Sequence, residues 1–161
     1  MANLQAARGA QYPLMAEFTF DVSTAANDSM ATTVGNVIGG ATPVYNAAVT
    51  PIGGVATNIF DVIKLPPNAV VVGGDVTVET AVVGPTASTI TVGDAGNATR
   101  YLGSTSLLAA GRTALVPTQF VGIGDNIRIT VANTVAAATA GKVTVRVLYT
   151  IRGRVQEVQP V

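Results

Sequence analysis

Between residues 14 and 22 the chain alternates strictly. Leu14, Ala16, Phe18, Phe20 and Val22 fall on one side, and Met15, Glu17, Thr19 and Asp21 on the other. The same rhythm sets Val76, Val78 and Thr80 against Asp75, Thr77 and Glu79, and Ile127, Ile129 and Val131 against Arg128 and Thr130. Its longest run sets Val143, Val145, Val147, Tyr149 and Ile151 against Lys142, Thr144, Arg146, Leu148, Thr150 and Arg152. A period of two sends successive side chains to opposite faces of a strand, so each segment predicts an antiparallel strand with one apolar and one wet face. Less regular apolar runs predict further strands at 58–65, 69–72, 89–92 and near Phe120.

Turn chemistry separates these runs: Gly39-Gly40, Gly53-Gly54, Pro66-Pro67-Asn68, Gly73-Gly74, Gly84-Pro85, Gly93-Asp94 and Gly124-Asp125-Asn126. No stretch carries an apolar stripe at helical spacing with caps. Residues 107–110 have room for one short turn, and 134–140 reads as a loop joining the last two strands. Many short strands with dense turn signals predict an all-β fold, an antiparallel β-sandwich of jelly-roll type, over residues 14–151. Residues 1–13 and 152–161 flank the periodic region and are expected to be an N-terminal arm and a C-terminal tail.

Composition adds the absence of most catalytic equipment. At 161 residues the chain suits one domain, and a fold of that size buries roughly 70% of the surface its unfolded chain exposes. It has no Cys, His or Trp. Disulfides, thiolate nucleophiles, zinc sites built on Cys or His, and the usual general base near neutral pH are therefore excluded. Ser and Thr are plentiful, but only Lys64 and Lys142 could serve as a lysine base, and neither sits in a motif. Asp75 and Glu79 share the polar face of one strand, where solvated carboxylates are the expectation rather than a glycosidase pair. The run Gly93-Asp94-Ala95-Gly96-Asn97 has the oxygen-rich composition of a calcium loop but not its alternating acids or distal Glu, so a plain turn is expected. Neither an enzymatic role nor a cofactor is expected.

Charge changes the picture once more. Only 11% of residues are charged, against about 25% in an average soluble domain, and nine basic residues cancel nine acidic ones. Apolar residues make up 48% of the chain and mean hydropathy is +0.46. No apolar run approaches the ~20 residues of a membrane span, and the first residues lack the apolar stretch of a secretory signal, so synthesis in the cytoplasm is expected. A weakly charged, apolar chain of zero net charge is expected to work in an assembly, as a homo-oligomer and against a partner. The charges are also unevenly placed. Residues 1–99 hold Arg8 and Lys64 against seven acids, while 100–154 hold seven basic residues against Asp125. If the last two strands pair, Arg128, Lys142, Arg146 and Arg152 line one hairpin face. Acids on neighbouring strands are expected to balance it, and no aromatics interleave for base stacking, so direct nucleic-acid binding is not expected.

Three stretches resemble small structural proteins of tailed-phage virions: DVIKLPPNAVVVGGDVTVETA at 61–81, TITVGDAGNATRYL at 89–102 and GKVTVRVLYTI at 141–151. The resemblance implies a head decoration, or cement, protein with a jelly-roll-like core. Such a protein sits on the virion head surface, across subunits of the major capsid protein shell. It transfers no functional residue position by position. The contact residues expected from the sequence itself are Leu4, Arg8 and Tyr12 of the arm, with Arg128, Lys142, Arg146 and Arg152. A carbohydrate- or receptor-binding module of a phage tail is the alternative, made less attractive by the lack of Trp for a sugar platform.

Overall fold

The computed structural model describes residues 12–22, 25–26, 36–37, 55–118 and 126–152. Among these residues ten strands follow in chain order: β1 (Leu14–Asp21), β2 (Ala25–Ala26), β3 (Asn36–Val37), β4 (Val55–Lys64), β5 (Ala69–Val83), β6 (Ala87–Gly93), β7 (Leu102–Ser106), β8 (Gly111–Ala114), β9 (Asn126–Thr134) and β10 (Ala140–Ile151). The described residues contain no helix. Strands β2 and β3 form a small ribbon, and the eight others form two four-stranded antiparallel sheets, ordered β1-β10-β5-β8 and β4-β9-β6-β7.

Of these eight, only β6 and β7 are consecutive neighbours within a sheet; every other connection passes from one sheet to the other. Consecutive β1 and β4 lie against consecutive β10 and β9, the wrapped pairing of a jelly roll. The all-β sandwich expected from the alternation is therefore present, and the pairing order supplies the topology.

Alternation fills the core. From the first sheet come Phe20, Val76, Val78, Val143, Val145 and Val147, and from the second Phe60, Ile90, Val92, Ile127, Ile129 and Val131, all buried in one cluster. Phe18 packs partly against it, and Leu14 at the start of β1 is 40% exposed, so burial deepens along that strand. The Pro66-Pro67-Asn68 turn closes with the Ala69 N–H donating to the Pro66 carbonyl at 3.1 Å, and Asn68 takes φ +63°.

Two local readings need correction and a third gains detail. Gly73-Gly74 does not separate two strands; it lies inside the fifteen-residue β5, where the register with β10 shifts opposite Leu148 and Tyr149. Gly74 takes φ +137°, and a Cβ there would collide with the Arg146 carbonyl, so the pair marks a bulge and not a turn. The last two strands do not pair: β9 and β10 are in different sheets, and residues 135–139 carry the chain between them. Residues 107–110 form a bend between β7 and β8, two short strands that the period-two pattern misses, with Leu107 buried below. The strand expected near Phe120, the two earlier Gly-Gly turns and most of both flanking segments lie outside the described residues.

Candidate interaction face

The wet face of sheet β1-β10-β5-β8 collects most of the described charge. In register, Glu17 lies opposite Arg146 and Arg146 opposite Asp75, while Thr19 faces Thr144, which faces Thr77, which faces Arg112. Side chains close this lattice. Arg146 Nε donates to Glu17 Oε2 at 2.7 Å and its other end lies 3.5 Å from Asp75 Oδ2. Arg112 reaches both Asp75 oxygens at 3.2 Å, and the Thr77 hydroxyl donates to Asp75 Oδ2 at 2.6 Å. One row on, Lys142 Nζ is 2.6 Å from Glu79 Oε2, and the Thr144 hydroxyl donates to Glu79 Oε1 at 2.7 Å. Having given its proton to the carboxylate, Thr144 accepts from Thr19 at 2.8 Å.

Asp75 is the unexpected member. Period two puts it on the wet face, yet it is 3% exposed, beneath the arginines on either side. Burial alone would raise its carboxyl. The Thr77 hydroxyl and the Arg112 and Arg146 guanidiniums outweigh that and hold it below the ordinary carboxylate value. Glu79 is also held low, by the Lys142 ammonium first and the Thr144 hydroxyl second, and in return Glu79 raises Lys142. Hydrogen bonding to Glu17 raises Arg146. Both carboxylates of β5 are thus ionised and occupied by their own cations, which suits cross-strand ties and not proton transfer.

At one end the lattice gives way to a shallow groove of about 490 Å³, lined by Met15, Gly74, Asp75, Thr77, Arg112, Arg146 and Leu148. Met15 is 61% exposed, and the Arg112 side chain stays 70% exposed despite its pairing. The groove therefore offers apolar surface beside a cation, the mixture found where one protein rests on another. Sequence reasoning missed Asp75 as a buried group, and missed Met15, Leu148 and Arg112 as a set. The lone signal was Gly73-Gly74 inside an otherwise alternating run.

The contact residues expected from sequence are scattered. Leu4 and Arg8 lie outside the described residues. Tyr12 precedes β1 and is 85% exposed. Lys142 and Arg146 share the face just described. Arg128 is on the other sheet, where it binds Asp61 of β4 through Nε at 2.7 Å and a terminal nitrogen at 3.1 Å. Arg152 follows β10, exposed, with its N–H donating to the Asn68 carbonyl at 2.8 Å. The hairpin stripe is corrected accordingly: the residues occupy separate surfaces because β9 and β10 belong to different sheets. As expected, acids on neighbouring strands balance Arg128, Lys142 and Arg146.

The oxygen-rich run after β6 is a turn. Asp94 is buried, its Oδ1 accepts the Gly96 and Asn97 N–H groups at 2.9 Å each, and its carboxylate pairs with Arg100. A side chain on Gly93 would collide with the Asn97 carbonyl, so glycine is required where this turn folds back. Asp94 spends its oxygens on the chain's own donors, and no cluster of metal-ligating side chains occurs among the described residues. No described helix is long and apolar enough to cross a membrane.

No protein-family model matches the sequence. A search of curated proteins likewise finds no match. Among solved structures, the chain is similar to one from the cyanophage Pam1 capsid asymmetric unit, with 21% identity, a TM-score of 0.56, and coverage of 91% of this chain and 92% of that one. It also aligns with a chain from the capsid of Ralstonia phage GP4 at 14% identity and a TM-score of 0.48, covering 94% of this chain and 91% of the other. In its fold, this chain is similar to a component of a phage capsid.

Proposed function

We propose that this protein is a non-enzymatic structural component of a phage virion that decorates and cements the head, binding across subunits of the capsid shell. The carrying observation is the jelly roll shared, over nine-tenths of each chain, with a chain of the cyanophage Pam1 capsid asymmetric unit. Coverage of that extent means that the likeness runs over nearly the whole of both chains. The sequence stretches at 61–81, 89–102 and 141–151 support the same reading. So does the weakly charged, neutral composition, which suits a protein whose surface is covered by neighbours.

Contacts of this protein with a shell are mainly apolar and backbone-mediated, because Lys142 and Arg146 are already neutralised in the sheet lattice. Raising salt from about 0.1 to 1 M shortens the Debye length from ~10 to ~3 Å and should weaken attachment only modestly. The test is fractionation of the encoding phage's particles into heads and tails, with copies counted by quantitative mass spectrometry before and after the salt step. Tens to hundreds of copies retained on heads support the reading. A few copies on tails would replace it with a tail receptor-binding module, and absence from particles would reject both.

A further inference from the structure

Among the described residues, four strands bound the two sheets: β1 and β8 in one, β4 and β7 in the other. An open edge presents unpaired N–H and C=O groups, which proteins normally blunt. Three of these edges are blunted. Strand β7 has five residues and β8 four, too short to template much. Strand β4 breaks register between Asp61 and Ile63 and ends on Lys64. Strand β1 is different: its eight residues pair with β10 without a register shift and contain no Gly, Pro, Lys or Arg.

The direction of its free groups follows from the ladder. The Val22 N–H donates to the Gly141 carbonyl at 3.1 Å, continuing the β1–β10 register by one residue. In a regular antiparallel ladder, residues alternate between bonding inward and outward. Leu14, Ala16, Phe18 and Phe20 therefore bond to β10, and the backbones of Met15, Glu17 and Thr19 point outward from the sheet edge.

We propose that this edge pairs with the same edge of a second copy, antiparallel about a two-fold axis at Phe18, joining two four-stranded sheets into one of eight strands. The register selects itself by charge. With the axis at Glu17, two glutamates would face each other. With it at Thr19, Glu17 would face Asp21 of the second copy. A shift of one residue sets the apolar face of one copy beside the wet face of the other. With the axis at Phe18, Glu17 faces Thr19 and Met15 faces Asp21 on the wet side. On the core side Phe18 meets Phe18, Ala16 meets Phe20 and Leu14 meets Val22. Apolar thus meets apolar, no like charges are opposed, and the outward backbone groups of Glu17 and Thr19 pair with each other. This makes an isologous, closed contact. It covers Leu14 and Phe18, the two large apolar residues on the core side of β1 left incompletely buried. The inference stands apart from the shell role, since it requires only the purified chain.

Residue-resolved hydrogen exchange, combined with sedimentation, tests it. Expected is a dimer in which the Met15, Glu17 and Thr19 amides slow at least about tenfold as concentration rises, with Phe18 and Phe20 already protected by β10. Thr19→Pro deletes an outward N–H and no backbone bond to β10, with the Thr19 hydroxyl's bond to Thr144 as its one loss on that side, so that variant should keep its fold and sediment as a monomer. If it misfolds, the native exchange pattern decides. A chain monomeric at every concentration, or a dimer with fast Met15, Glu17 and Thr19 amides, overturns the proposal. So does a folded Thr19→Pro dimer of native affinity, or edge protection that arises only when shells are added.

Discussion

Replacing Asp75 by Asn tests whether the sheet lattice is a stabilising device. The carboxylate is 3% exposed, accepts from Thr77 at 2.6 Å and Arg112 at 3.2 Å, and ties β5 to its neighbours β8 and β10. Hydrogen bonds to a charged group contribute about 1.5–3 kcal/mol when well shielded. Here the Arg112 side chain is 70% and Arg146 35% exposed, so solvent screens both and they rehydrate when the charge is removed. Asn keeps the shape and an acceptor for Thr77. A loss of about 1–2 kcal/mol at pH 7 is expected. At ~2–4 °C per kcal/mol for a domain this long, melting should fall by roughly 2–8 °C. The pH dependence sharpens the test. The folded carboxyl lies below its ordinary value of 3.8, so its contribution is complete above that value and lost as pH falls below it through the folded one. Paired calorimetric melts of the native chain and D75N from pH 7 downward should show a constant gap to about pH 4 that then closes. A gap of the same size at every pH, or no gap at pH 7, would refute the electrostatic account.

Two further outcomes are expected. Val135 holds φ +71° while 76% exposed, a conformation that a β-branched residue resists and Asn tolerates, so Val135→Asn should stabilise by up to about 1 kcal/mol in denaturant melts. Deleting residues 2–12, the N-terminal arm in the sequence reading, should leave melting unchanged and lower occupancy on shells in a pelleting assay; unchanged occupancy rejects the arm.

Legibility divides along the range of the interaction. Alternation at 14–22, 76–80, 127–131 and 143–151 identified strands and buried faces because side-chain direction in a strand is a local property. Phe20, Val76, Ile129 and Val145 are buried as that rule requires. The turn at 66–68 was legible for the same reason, since Pro and Asn bias their own φ. Pairing was not legible, because it depends on which faces complement each other across the whole chain. Adjacent β9 and β10 bond instead to β4 and β6, and to β1 and β5. Strands β7 and β8 are too short for a period to register, and they are held by neighbours whose identity no local pattern encodes. Two glycines in β5 looked like a break because glycine marks turns and bulges alike; only the Arg146 carbonyl beside Gly74 decides which. The wet face was read correctly at Asp75 while its burial was not: alternation tells which way a carboxylate points, and only the sheet brings two arginines, 37 and 71 residues away, to close over it.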